Sequence, residues 1–248
     1  MTTGNERLIL AGKRILITSG PTFAPLDAVR AITNRSTGRL GCAIANSLWK
    51  HGAEVVMLAG ETSLVPGATP YAGGKANLTV ERFYTISDLK NLLEKYLTTQ
   101  CFQAVVMAAA VLDYVPVESL EGKKRSDEEA WVIRLRRGEK LIERIKSWAP
   151  DVFLVGFKLE ARIGQDELIA RAADLMNRAR ADLVVANRLE DIDASRHVAY
   201  LIEAGEKEAD LCVSEPLHTR EAIAESLAVR LGERLAGRSF IHSRREQV

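Results

Sequence analysis

Short apolar runs alternate with segments of helical period along most of the chain, the pattern of an α/β protein built on a buried parallel sheet. Arg14 to Thr18 and Glu54 to Leu58 predict buried strands. Between them Ile44/Leu48 and Ala45/Trp49 make i,i+4 apolar pairs, and Gly52 stands where a helix C-cap belongs. Asn77 to Phe83 predicts a third strand. Ser87 predicts the N-cap of a helix with Leu89, Leu92, Leu93, Tyr96 and Leu97 on one face. Gln103 to Met107 predicts a fourth strand that runs into Ala108-Ala109-Ala110.

The middle of the chain is more polar. Glu118 to Ala130 sets Lys123-Lys124-Arg125 among five acidic residues and predicts a mobile loop or flap. Trp131 to Leu135 alternates like a strand, Lys140 to Trp148 predicts a helix, and Phe153 to Phe157 another buried strand. Asp166 to Arg178 predicts a helix with Leu168, Ala172, Leu175 and Met176 inward, followed by a strand over Asp182 to Ala186. Val198 to Ile202 and Ala209 to Val213, joined around Gly205, predict an antiparallel hairpin, and Thr219 caps a last helix with Ile223, Leu227 and Leu231 inward. No repeat or linker interrupts this order. The expected fold is α/β: a Rossmann-like three-layer domain with a mostly parallel sheet and an antiparallel hairpin extension. A single domain is expected over residues 1–248, with ends frayed over about 1–10 and 240–248.

Composition narrows the classes. With 248 residues, 47% hydrophobic, the chain can fill a sizeable core. A net charge of +1 argues against nucleic-acid binding driven by the whole surface. No apolar run reaches the ~18 residues of a membrane span, and no secretory leader is expected before the first strand. Cys42, Cys101 and Cys212 are scattered in apolar segments without metal spacing, which predicts buried, reduced thiols in the cytoplasm. The four histidines are isolated and read as structural or surface residues.

In open parallel sheets ligands sit beyond the carboxyl ends of the strands. The segments there are Ser19 to Thr22, Ala108 to Asp113, Lys158 and Asn187. Three consecutive alanines allow close approach of a ligand or of packed backbone; Asp113 beyond them could hold a ribose hydroxyl or Mg²⁺. Arg30 and Asn34 are four apart in a loop before a helix start: Arg30 offers a bidentate fork for phosphate or carboxylate, and Asn34 both a donor and an acceptor, against the plainer reading of a surface arginine and a turn asparagine. Ser36, Thr37 and Gly38 suit either a phosphate nest or an N-cap with a packing glycine. Lys123 is either part of a solvated charge run or a flap cation closing over a polyphosphate. Arg171 and Arg178, seven apart, share a helix edge and read as exposed arginines or as triphosphate ligands. No nucleophile–base arrangement is visible, which suits substrates that attack one another while the protein positions them.

Taken together, Gly20-Pro21-Thr22, Asp27-x-Val29-Arg30-x-Ile32-Thr33-Asn34-x-Ser36-Thr37-Gly38-x-x-Gly41, Ala108-Ala109-Ala110-Val111-x-Asp113-Tyr114-x-Pro116, Val155-Gly156-Phe157 and Asp182 to Asn187 resemble the phosphopantothenate–cysteine ligase family, in its stand-alone bacterial form. The chain begins just before that family's first strand, so the flavin decarboxylase domain fused upstream in many bacterial members is expected to be absent. The resemblance implies an enzyme of coenzyme A biosynthesis acting in two steps. The carboxylate of 4′-phosphopantothenate attacks the α-phosphate of a nucleoside triphosphate, with Mg²⁺ as cofactor and CTP favoured over ATP. Cysteine then displaces the nucleoside monophosphate. It implies that Asn34 contacts the activated acyl group and that Lys123 is the flap lysine. It also implies that Arg30 reaches the substrate phosphate of the neighbouring subunit in a homodimer. Ser36, Thr37, Gly38, Ala109, Ala110 and Asp113 then belong to the substrate site; Gly20, Pro21, Thr22, Ala108, Asp113 and Phe157 to the nucleotide. A separate decarboxylase partner is compatible; nucleic acid and membrane are not expected.

Three positions depart from the family pattern. Phe23-Ala24-Pro25 lacks the usual glutamate, Arg137-Gly138-Glu139 replaces Lys-x-Pro, and two helix lysines that bind triphosphate in some members align with Leu175 and Ala179. Arg178, with Arg171, is expected to substitute for those lysines. The rival readings are a nicotinamide-dependent reductase, whose only Tyr-x-x-x-Lys match is Tyr71 to Lys75, and a non-catalytic nucleotide-binding module.

Overall fold

Arg14–Ser19 forms the central strand β1, buried from Ile15 onward. In the computed structural model, which describes residues 8–67, 77–193, 195–205 and 210–236, it is followed by the short strands β2 (Phe23–Pro25) and β3 (Ala31–Thr33). Then come helix α1 (Arg39–Lys50), strands β4 (Glu54–Gly60) and β5 (Leu78–Phe83), helix α2 (Ile86–Thr99) and strand β6 (Ala104–Met107). The short strands β7 (Tyr114–Pro116) and β8 (Leu135–Arg137) precede a 3₁₀ turn (Leu141–Arg144) and one turn of helix, α3 (Ile145–Trp148). The chain ends with β9 (Phe153–Glu160), α4 (Gln165–Ala179), β10 (Leu183–Ile192), β11 (His197–Ala204), β12 (Leu211–Val213) and α5 (Arg220–Ala236).

Eight strands make one sheet in the order β12-β11-β10-β9-β6-β1-β4-β5. The six from β5 to β10 are parallel, while β11 and β12 turn back antiparallel, as the hairpin pattern predicts. The period-2 geometry of a strand sorts its side chains onto two faces. Ile15, Ile17, Val55, Met57, Ala104 and Val106 join the core under α1 and α5. Leu16, Val56, Leu58, Val105 and Leu154 join the core under α2 and α4. Each fully buried aliphatic side chain of this kind stabilises the fold by roughly 1.5–3 kcal/mol. A buried carboxylate, Glu203, ties α5 back to β11 by accepting from Arg234 Nε (3.0 Å) and Nη2 (3.2 Å).

Several local expectations are corrected. Helix α2 is capped by Thr85 rather than Ser87: Thr85 and Asp88 form a reciprocal capping box, so the helix starts one residue before the predicted cap. Residues 131–134 form no strand; the pairing lies at Leu135–Arg137, against Tyr114–Pro116. The helix predicted over Lys140 to Trp148 is split, with Leu141–Arg144 wound as 3₁₀. Cys101 and Cys212 are exposed and Cys42 half-buried, because Cys101 follows the end of α2 and Cys212 lies on the edge strand β12. Ala209 lies outside the described residues, as do 1–7 and 240–248 of the ends expected to fray; residues 8–10 of the first end are instead packed, with Leu10 buried and its N–H donating to the His51 carbonyl (3.0 Å).

Candidate active site

The strand order reverses beside β1. The chain moves from β1 outward through β4 and β5, then crosses back to β6 on the other side. In a doubly wound sheet this reversal opens a crevice at the carboxyl ends of the two central strands, where ligands bind. Here the crevice floor is zipped from three sequence segments. Ala110 N–H donates to the Gly20 carbonyl (2.9 Å), and Thr22 Oγ1 accepts from Leu112 N–H (3.0 Å). Thr18 Oγ1 accepts from Ala109 N–H (3.1 Å). Asn34 supplies the third side: its Nδ2 donates to the carbonyls of Ala110 (3.0 Å) and Val111 (3.3 Å). Both amide hydrogens are thus committed, which fixes Oδ1 as an acceptor with no partner among the described residues. Thr33 Oγ1 adds a bond to the Thr22 carbonyl (2.9 Å). The structure thus brings Gly20, Pro21, Thr22, Asn34, Ala109 and Ala110 together, with Ala108 just before them at the end of β6, and Val111 and Leu112 belong with them.

The glycines of the first motif have a packing cause. A Cβ on Gly38 would stand 1.9 Å from Ser63 Oγ, and one on Gly41 would stand 2.2 Å from Ser19 Oγ. Gly20 and Gly38 also hold φ of +80° and +71°, a region that L side chains rarely adopt. Ser19, buried, bonds the Gly38 carbonyl (3.2 Å) and faces Ser63 Oγ (3.2 Å), so the start of α1 is pressed onto the end of β1. Ser63 carries no motif and was not legible. Gly38 is the N-cap and no side chain caps the first turn of α1, so its leading N–H groups are left for other acceptors. Ser36 is half-buried and Thr37 exposed beside that turn.

Arg30 and Asn34, four apart in sequence, do not share a loop. Strands β2 and β3 pair as an arm, with Phe23 opposite Thr33, and Asp27 to Arg30 form its tip. At about 3.3 Å per residue, β3 carries Arg30 on the order of 13 Å from Asn34. Phe23, beside Ala24 in the divergent Phe23-Ala24-Pro25 segment, stacks on Tyr84 with ring centroids 4.9 Å apart. Asp27 is buried at the tip: Oδ1 accepts from Val29 N–H (2.8 Å) and Arg30 N–H (2.7 Å), and Oδ2 from Lys124 N–H (3.1 Å). Burial pushes this carboxyl up, but those three donors and the Arg30 charge outweigh it and hold it below the usual carboxylate range. Lys123 is exposed in the segment that packs along this tip.

Asp113 stands at the mouth of the crevice, exposed and ion-paired with Lys140. Gly138 packs beneath it; a Cβ there would lie 2.8 Å from the Leu112 carbonyl, which explains a glycine in the divergent segment. Phe157 is half-buried toward the carboxyl end of β9. Asn187 on β10 is buried and its Nδ2 lies 3.2 Å from His197 Nε2. Burial, then the Arg220 charge, push the His197 ring down to about 4. Neutral His197 accepts the Asn187 hydrogen, so its own proton is on Nδ1, which has no partner among the described residues.

The expected triphosphate arginines are not brought to this edge. Helix α4 runs antiparallel to β9 and β10, so its C-terminal end lies by the strand starts. Arg178, about 13 residues from the helix start, is on the order of 20 Å away from the ligand edge. Leu175 and Ala179 are buried core positions, and Arg171 is ion-paired with Glu167 (3.2 Å). Their spacing gave the helix face but not the direction of the helix. A groove of about 970 Å³ lies elsewhere, between α1 and α5, lined by Arg39, Asn46, Trp49, Arg220 and Glu225 among others. The Tyr71 to Lys75 match lies outside the described residues, and no helix among those described is long and apolar enough to cross a membrane.

Residues 10–233 match the family described as DNA/pantothenate metabolism flavoprotein C-terminal domain. The chain belongs to this family. It is 34% identical over 218 residues to the coenzyme A biosynthesis bifunctional protein CoaBC of Thermococcus kodakarensis, covering 88% of this chain and 50% of that protein. The chain thus spans about half the length of the curated relatives it matches. A solved DNA/pantothenate metabolism flavoprotein from Streptococcus pneumoniae superposes with a TM-score of 0.77 at 29% identity, covering 90% of this chain and 99% of that one. The C-terminal domain of a CoaBC protein superposes with a TM-score of 0.71 at 25% identity, covering 92% and 98%. The family's fold is therefore the one described above.

Proposed function

We propose that this chain is a nucleotide-dependent ligase of coenzyme A biosynthesis that joins 4′-phosphopantothenate to cysteine, using CTP in preference to ATP. The observation that carries this reading is the crevice between β1 and β6, where Asn34 clips the Gly20–Thr22 and Ala108–Val111 loops together. It is made of backbone groups, one oriented amide and the hydroxyls of Thr18, Thr22 and Thr33, which are spent on the loop framework; among the described residues no nucleophile–base pair stands there, which suits two substrates held against each other. In the first step the pantothenate carboxylate attacks the α-phosphorus and the bond to the β-phosphate oxygen breaks, releasing pyrophosphate. In the second, the cysteine amine attacks the acyl carbon, the acyl–oxygen bond breaks, the nucleoside monophosphate leaves and the amine loses a proton. Orientation of this kind can lower a barrier by ~7–11 kcal/mol. Asn34 Oδ1, held facing away from the clipped carbonyls, suits the incoming amine; Lys123 suits charge developing on the phosphates.

The arm supports a homodimer, because it carries Arg30 away from the crevice of its own chain and exposes Val29 (68%) beside it. Arg30 then serves the phosphate of a second copy's substrate. Mg²⁺ enters with the nucleotide. Among the described residues no group of three or more His, Cys, Asp or Glu is placed to hold a metal, and Mg²⁺ commonly takes one or two carboxylates plus phosphate oxygens. Asp113 is the carboxylate that fits. The cytoplasm is the proposed location, and a separate flavin decarboxylase a compatible partner.

The test is pyrophosphate release with 4′-phosphopantothenate, Mg²⁺, cysteine and either CTP or ATP. Release that depends on phosphopantothenate is expected, faster with CTP. Lys123→Gln or Asn34→Asp should lower turnover by at least ~100-fold, the scale of losing one positioned electrostatic group. No release with either nucleotide overturns the reading.

A further inference from the structure

Lys123 has no side-chain partner among the described residues, yet its backbone is clamped on both sides. The Gly122 carbonyl before it accepts from Ala28 N–H (3.3 Å), and the Lys124 N–H after it donates to Asp27 Oδ2 (3.1 Å). Leu120 N–H adds a bond to the Leu26 carbonyl (3.0 Å), so the segment runs along the arm tip for five residues. The same carboxylate shapes that tip. Asp27 Oδ1 receives the Val29 and Arg30 N–H groups, and the Arg30 guanidinium lies 3.3 Å from Oδ2 and over the Trp131 ring at 5.4 Å. One buried carboxylate therefore sits between the turn that carries Arg30 and the segment that carries Lys123.

We infer that Asp27 is a positioning residue for the ligase reaction, holding Lys123 in its working place through the Lys124 N–H and Arg30 through its turn. The inference rests on the ligase reading above. Its distinctive consequence is that Asp27 matters to turnover only because Lys123 and Arg30 do. A residue that merely stabilises the fold would slow the enzyme by the same factor whatever stands at position 123.

The test is a double-mutant cycle on turnover in the pyrophosphate assay, using the full chain. Asp27→Asn keeps an oxygen for Val29 and Arg30 but puts an NH₂ where Lys124 N–H must donate. It is expected to lower kcat by about 10-fold or more while the protein stays folded at the assay temperature, and to speed amide exchange at Ala28 and Lys124. Added to Lys123→Gln, it should cost less than about 2-fold further. Lys124→Pro deletes the same N–H from the segment's side, carries the cycle if Asp27→Asn does not fold, and should behave alike. Normal kcat in both clamp variants, or factors that multiply in the double variants, overturns the positioning role and leaves the ligase reading standing. A wild-type chain that releases no pyrophosphate, or a Lys123→Gln with normal turnover, overturns the reading and the inference together.

Discussion

Acidification should destabilise this protein through His197 before its carboxylates titrate. The ring begins β11, is 6% exposed, accepts from Asn187 at Nε2 and leaves Nδ1 unpartnered. Protonation would set a second N–H against the Asn187 NH₂ and place a cation near Arg220. Burial first and that arginine second hold the ring at about 4, against the ordinary 6.5 of the unfolded chain. The unfolded chain then binds the extra proton first, so this contribution is complete above the unfolded value and is lost as pH falls from about 6.5 to about 4. The full loss is about 3 kcal/mol, of which about 2 kcal/mol falls between about pH 7 and pH 5. For a chain of 248 residues that second figure is a drop of about 4–8 °C in melting temperature. The assay is a melting series over that range on the wild type and on His197→Gln. A flattened slope in the variant is expected. Equal slopes would refute the buried neutral ring.

Three further outcomes follow from packing and placement. Gly41→Ala, which would gain about 1 kcal/mol in an open helix, should instead destabilise by ~1–3 kcal/mol, because its Cβ meets Ser19 Oγ at 2.2 Å; a raised melting temperature would contradict that contact. Glu203→Gln should cost about 1–2 kcal/mol by denaturant titration, less than a fully buried pair, because Arg230 and Arg234 reach water; no loss would remove its link to α5. Arg171→Ala with Arg178→Ala should leave the nucleotide KM within ~2-fold, since Arg178 stands at the far end of α4; a rise of ~10-fold or more would show that the triphosphate reaches that end.

The layer pattern was legible because apolar runs in buried parallel strands are continuous. β1, β4, β6 and β9 all appear where Ile, Val, Leu and Met cluster. The carboxyl-end loops followed from that pattern, and with them Gly20 and Ala110, whereas Asn34 was singled out by its motif and not by the strand pattern. What the sequence hid was direction and long-range pairing. Arg30 and Asn34 read as loop neighbours because β2 and β3 are three residues each, too short for a periodic signal. Arg178 read as a ligand because helical spacing gives a face without telling which end meets the site. Ser63 and Lys140 reach the site from distant segments, and Asp27 was quoted only as a motif letter although its carboxylate joins two segments nearly 100 residues apart.

A crystal structure of the protein with 4′-phosphopantothenate and a non-hydrolysable triphosphate tests the central claim most directly. The pantothenate carboxyl and the α-phosphate should meet between the Gly20–Thr22 and Ala108–Val111 loops, beside Asn34. Ligands seated in the groove between α1 and α5, with those loops empty, would contradict it.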